Sequence, residues 1–230
     1  GFSAYLLYGV TGSGKTEVYI RAVQKALEKG KGALVLVPEI SLTPQLTAQF
    51  TSRLGQTVAL FHSGLSDGQR LDQWWRVKTK KARVAIGARS ALFAPLTDPG
   101  VIIVDEEHDP SYKQGETPRY HARDAAVMLG MIKEATVVLG SATPSLESVH
   151  NAQAGRYRRL TLPDRVTKMR RLPEVEIVDM RGAAFATANI TETLAAEIAG
   201  AVEQGRQAIL LLNRRGFSSF ILCPNCGHNF

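Results

Sequence analysis

Residues 4–16, AYLLYGVTGSGKT, decide how the rest of the chain folds. A short apolar run, residues 4–8, enters Gly9, Val10, Thr11, Gly12, Ser13, Gly14, Lys15 and Thr16, which fit the spacing G-x-x-x-x-G-K-[ST]. Residues 17–29 then carry a helix-compatible pattern, so the stretch reads as strand, glycine loop, helix. Glycines let successive backbone N–H groups turn toward the β- and γ-phosphates of a nucleotide, and the positive end of the following helix favours their charge. Lys15 is placed to reach phosphate oxygens and the Thr16 hydroxyl to ligate Mg²⁺. A plain glycine-rich turn would not require the full motif and its strand-to-helix setting together.

Working outward, short β-branched runs recur between helical patterns. Strands are expected at residues 33–37, 58–61, 83–87, 101–104 and 136–139, and helices at 45–54, 66–78, 123–132 and from Ser145 onward. This alternation predicts an α/β fold with a mainly parallel sheet covered on both faces, its site built by loops at the carboxyl ends of the strands. Between 156 and 171 the composition shifts, with seven of sixteen residues Arg or Lys and little periodicity. A boundary is expected there. Beyond it, a strand at 174–178, a helix at 191–203 and a buried strand at 208–212 suggest the opening of a second α/β lobe.

The chain has 230 residues, 44% hydrophobic and 21% charged, enough for one sizeable core or for one domain and part of another. No apolar run approaches a bilayer's thickness and the start carries no signal-peptide pattern, so a cytoplasmic protein without a membrane partner is expected. Net charge is +7, which favours polyanionic partners. Both cysteines fall in Cys223-Pro224-Asn225-Cys226, which excludes a disulfide framework. The chain begins almost on a strand, without Met, and stops just after the cysteine pair. It reads as part of a longer polypeptide.

Asp105, Glu106, Glu107 and His108 follow directly on the apolar run 101–104. Carboxylates at the end of a buried strand suit metal and water chemistry: Asp105 to hold the Mg²⁺ that bridges phosphates, Glu106 to orient and activate an attacking water. His108 either couples this site to a neighbouring loop or is a satisfied polar side chain. In the segment 109–123, Tyr112, Tyr120 and His121 offer stacking faces among Lys113, Arg119 and Arg123, a mixture suited to single strands. An ordinary surface loop with packed tyrosines is the alternative. Cys223 and Cys226 have the C-x-x-C spacing of a zinc knuckle, and only half of a tetrahedral set.

In combination, residues 9–16, the D-E-x-H box at 105–108 and the run GSATP at 140–144 resemble motifs I, II and III of superfamily 2 helicases. The finer resemblance is to the bacterial replication-restart helicases, carried by GVTGSGKTEVY (9–19), VPEISLTPQ (37–45), GARSALF (87–93), DEEHD (105–109), YKQGETPRYHAR (112–123) and LNRRGF (212–217). These stretches span nearly the whole chain. The resemblance implies a RecA-like lobe at 1–158, then at 159–230 a linker and the beginning of a second such lobe with the first half of a zinc-binding region. It implies an ATP-driven motor moving 3′ to 5′ on single-stranded and forked DNA, with primosome and single-strand-binding proteins as partners and ATP, Mg²⁺ and Zn²⁺ as cofactors.

Site roles follow from the same resemblance. Lys15, Asp105 and Glu106 would be catalytic; His108, Ser141 and Thr143 would couple hydrolysis to DNA contact. Thr43, Arg89 and Ser90 occupy loops matching backbone-binding motifs, and 109–123 matches an aromatic-rich loop that senses DNA. Arginine fingers of a second lobe are absent from these residues. Three other readings stay open: an RNA helicase or chromatin-type translocase, a small-molecule kinase using the same phosphate loop, and a non-catalytic nucleic-acid-binding module.

Overall fold

The computed structural model describes residues 1–41, 43–166, 174–187 and 190–211, which fall into two compact units, Gly1–Arg170 and Arg171–Phe230. In the first unit, β1 (Ser3–Gly9), β2 (Gly32–Leu36), β3 (Val58–Phe61), β4 (Val84–Gly87), β5 (Pro99–Asp105), β6 (Thr136–Ser141) and β7 (Arg158–Leu162) form one parallel sheet in the order β3-β4-β2-β5-β6-β1-β7. Its central strands are apolar on both faces because both are covered. Leu34, Leu36, Ile102, Val104 and Leu139 pack with Val77 and Ala126 of α3 (Asp67–Lys78) and α4 (Ala122–Ile132). Val35, Ile103 and Val138 pack on the other face with Ile20, Val23 and Phe50 of α1 (Lys15–Glu28) and α2 (Pro44–Leu54). Each such fully buried aliphatic side chain contributes about 1.5–3 kcal/mol.

Helix starts follow capping chemistry. Ser66 and Gln69 form a reciprocal capping box on α3, while Thr43 and Ser145 cap α2 and α5 (Leu146–Gln153) through their hydroxyls. Register then sets the site. Asp105 lies beside Gly140, and Tyr8 beside Ser141, so the carboxyl ends of β1, β5 and β6 are adjacent. No helix among the described residues is long and apolar enough to cross a membrane.

Three expectations need correction. β7 was not expected: it is an edge strand whose residues are largely exposed, so it lacks the apolar run that marks a central strand, and Arg159 lies 4.9 Å over the Tyr8 ring. Because β7 completes the first sheet, the units divide at Arg170/Arg171 and not at 158. In the second unit, β8 (Phe185–Thr187) and β9 (Ile190–Thr191) form a small antiparallel pair followed by α6 (Glu192–Glu203), which Thr191 caps. Residues 174–178 and 208–211 form no strand; Ile177, Ile209 and Leu211 are almost fully exposed. A β-branched run becomes a strand only when another strand takes up its backbone groups, and none among the described residues does.

Candidate functional site

The phosphate loop closes on itself. Gly12 and Gly14 adopt φ of +78° and +91°, a region open to glycine at little cost, and Gly14 precedes α1 as its N-terminal cap. Gly9 is glycine for space: a Cβ there would lie 2.5 Å from Ser13 Oγ. The Lys15 ammonium donates to the Gly9 carbonyl at 3.0 Å and stands 3.6 Å from a Glu106 carboxylate oxygen. Ser13 Oγ is buried without a partner. A buried cation on a backbone carbonyl and a buried hydroxyl without a partner, around glycines that cannot carry side chains, suit an anionic phosphate chain. After β7 the chain returns to this loop, where the Val166 N–H donates to the Gly12 carbonyl at 3.0 Å.

Asp105 ends β5. The buried Tyr19 hydroxyl donates to its Oδ1 at 2.8 Å, and the Tyr112 hydroxyl donates to its main-chain carbonyl at 2.6 Å. Burial raises the Asp105 carboxyl pKa above the ordinary value, opposed by the Tyr19 hydrogen bond. Thr16 precedes Tyr19 by three positions and so shares its helix face. A cation that arrives with a nucleotide keeps phosphate and water ligands and needs only one or two protein oxygens, the number Thr16 and Asp105 can offer. Glu106 turns the chain sharply with φ +43°, a strained conformation for a residue with a side chain. Its carboxylate lies between Lys15 and His108 Nδ1, 3.7 Å away.

His108 joins two motifs. Nδ1 is 2.8 Å from Ser141 Oγ and Nε2 is 3.3 Å from Thr143 Oγ1, while the Thr143 N–H donates to Ser141 Oγ at 2.9 Å. All three residues expected to couple are therefore in one hydrogen-bonded set. Glu107, given no role from sequence, is fully buried beneath them. It accepts from the Ser145 N–H at 2.7 Å, the Ser145 and Ser148 hydroxyls at 3.0 and 2.8 Å, and the Arg123 guanidinium at 3.3 Å. Thus the acidic box, the start of α5 and the residue ending the 109–123 segment share one polar core. Tyr19 and Glu107 are the residues that sequence reasoning missed. A tyrosine three residues after Thr16 was the available sign of the first, and the serines opening α5 were that of the second.

The residues expected to meet DNA divide. Tyr112 is fully buried with its hydroxyl committed to Asp105, so it has no free face to stack on a base. Arg89 donates through one terminal nitrogen to the carbonyls of Ser111 and Lys113 at 3.1 and 2.8 Å, holding the loop, and also lines the cavity beside Ser90. Thr43 accepts from the Leu46 N–H as a helix cap. Lys113 and Arg119 are exposed, and Tyr120 is partly buried, edge-on to Phe93 at 5.4 Å. Phe93 is 64% exposed and presents the open aromatic face that Tyr112 lacks. Ser90 lines a cavity of about 340 Å³ with Ser63, Arg70 and Ser111. Cys223 and Cys226 lie outside the described residues.

Comparison with known proteins agrees with this geometry. The family model for the DEAD/DEAH box helicase matches residues 3–152. The chain belongs to the DEAD/DEAH box helicase family. It is 50% identical over 97% of its length to the replication restart protein PriA of Bacillus subtilis, and 44% identical over 99% to that of Haemophilus influenzae. It spans 28% and 31% of those two proteins. Among solved structures it resembles RecG bound to a three-way DNA junction, with a TM-score of 0.51 and 23% identity over 74% of this chain and 22% of that one. That likeness concerns the fold alone.

Proposed function

We propose that the chain is the ATP-binding first lobe of a 3′ to 5′ DNA helicase that restarts stalled replication forks, followed by the beginning of a second RecA-like lobe. The observation that carries this reading is the convergence of Lys15, Asp105, Glu106 and the His108–Ser141–Thr143 set at adjacent strand ends. Similarity to PriA proteins over nearly the whole chain supports the restart role.

When bound, ATP with Mg²⁺ supplies the phosphoryl group that passes to water. Lys15 would exchange the Gly9 carbonyl and Glu106 for phosphate oxygens, neutralising their charge. Released from Lys15, the Glu106 carboxylate is free to orient water and accept its proton. Thr16 and Asp105 would hold the cation. His108 then senses Glu106 on one side and the 141–143 loop on the other, which is the arrangement a coupling between hydrolysis and strand movement requires. Single-stranded DNA would run over Phe93, Tyr120, Lys113 and Arg119, with Ser90 and Arg70 on its backbone. Arginines that a second lobe contributes at such sites are worth about a thousandfold or more in rate, so this chain alone binds nucleotide and turns it over slowly. Cys223 and Cys226 would supply two ligands to a zinc ion, and the proteins met at a fork, primosome and single-strand-binding proteins, are the partners in the cytoplasm.

The test is the ATPase rate of the full-length polypeptide with single-stranded DNA, forked DNA and RNA. Strong stimulation by DNA is the expected result. Stimulation by RNA alone, or phosphate transfer to a metabolite without any nucleic-acid effect, contradicts it.

A further inference from the structure

Asp105 is held at both ends by buried tyrosines, and only one of those bonds reaches its carboxylate. Tyr19, 2% exposed, donates to Oδ1, and the Glu106 backbone also bonds the carboxylate. Its hydroxyl occupies the space beside Gly140, the residue paired with Asp105 across β5 and β6. A Cβ on Gly140 would fall 1.7 Å from the Tyr19 hydroxyl oxygen and 2.8 Å from Cζ. Gly140 has no left-handed backbone to accommodate, so space for this phenol is what its missing side chain provides.

We propose that Tyr19 is a positioning residue that fixes the rotamer of the Mg²⁺-binding carboxylate of Asp105, and that Gly140 is glycine to admit it. α1 then presents both halves of the cation site from one face: Thr16 as a ligand, and one turn later the hydroxyl that aims the other ligand. Removing a group that orients a metal ligand in this way typically costs about 10–100-fold in metal affinity. The inference rests on the reading of the site as one for ATP and Mg²⁺.

The experiment titrates a fluorescent ATP analogue against the chain over a range of Mg²⁺ concentrations, for wild type, Tyr19→Phe and Gly140→Ala, with melting curves alongside. In Tyr19→Phe, affinity without Mg²⁺ stays within about twofold of wild type while half-saturating Mg²⁺ rises about tenfold. Gly140→Ala shifts Mg²⁺ dependence in the same direction, and Tyr19→Phe decides the matter if the alanine variant fails to fold. In an Asp105→Ala background, Tyr19→Phe produces no further shift. Unchanged half-saturating Mg²⁺ in a folded Tyr19→Phe chain, an equal loss with and without Mg²⁺, or an equal shift in the Asp105→Ala background would overturn the proposal. Should wild type itself bind nucleotide without any Mg²⁺ dependence, the reading of the site falls together with it.

Discussion

His108 Nδ1 lies 2.8 Å from Ser141 Oγ, so the acidic box at the end of β5 is hydrogen-bonded to the loop that follows β6. Neither residue touches the phosphate loop by a hydrogen bond of its own; Glu106 is the neighbour that links them to Lys15. Ser141→Ala removes the acceptor of the Thr143 N–H and the partner of His108 together. Nucleotide affinity should stay within about twofold of wild type, while DNA-stimulated ATPase of the full-length polypeptide falls about tenfold, equivalent to about 1.4 kcal/mol. Parallel binding and turnover assays check this.

Glu107 and Arg123 are buried together, and removing Glu107 leaves the Ser145 and Ser148 donors without their acceptor and Arg123 with only the exposed Asp124 and Glu147 carboxylates. Glu107→Ala should cost about 3–5 kcal/mol of folding stability, and Glu107→Gln, which keeps acceptors for Ser145 and Ser148, should cost less. Urea unfolding of the three chains measures the difference.

Tyr112 and Phe93 should separate structure from DNA contact. Tyr112→Phe loses one buried hydrogen bond, about 1 kcal/mol, without changing affinity for single-stranded DNA. Phe93→Ala should leave stability nearly unchanged and weaken that affinity by about 1–3 kcal/mol, the worth of one stacked base. Fluorescence anisotropy with a labelled oligonucleotide distinguishes the two.

His121 gives the fold a pH dependence. Burial, with the nearby Arg123 charge, lowers its imidazole pKa below the ordinary 6.5, and its Nδ1 is buried without a partner. The folded chain therefore favours the neutral ring, while the unfolded chain takes up a proton near 6.5. The stability this contributes is fully present above that pH, is lost as pH falls from 6.5 toward the folded pKa, and changes no further below it. His121→Asn should flatten the part of the urea-midpoint profile that falls away below about pH 6.5.

The central sheet was legible because its strands are covered on both faces, which forces continuous apolar runs such as residues 33–37 between Gly32 and Pro38. β7 was not, since an exposed edge strand can carry Arg158 and Arg159 and look like linker. Residues 208–211 mislead in the opposite sense: apolarity shows that a segment suits burial, and only a neighbouring strand makes it one. Within the site, the phosphate loop and the D-E-x-H box were readable from spacing. The fate of single side chains was not. A tyrosine in a basic loop reads the same whether its ring stacks on a base or, as with Tyr112, its hydroxyl is buried against a backbone carbonyl. Glu107 shows the same limit, because the run of carboxylates does not itself tell which of them turns inward, and the serines opening α5 that receive it are 38 and 41 positions away.

The most direct test of the account is nucleotide binding by the chain itself, comparing wild type with Lys15→Ala in the presence of Mg²⁺. Saturable binding of a fluorescent ATP analogue that weakens at least tenfold in the variant, about 1.4 kcal/mol or more, is the expected result, since the ammonium bonded to Gly9 is the group proposed to meet the phosphates. Equal binding by both chains, or none by the wild type, would contradict the assignment of this loop as the ATP site.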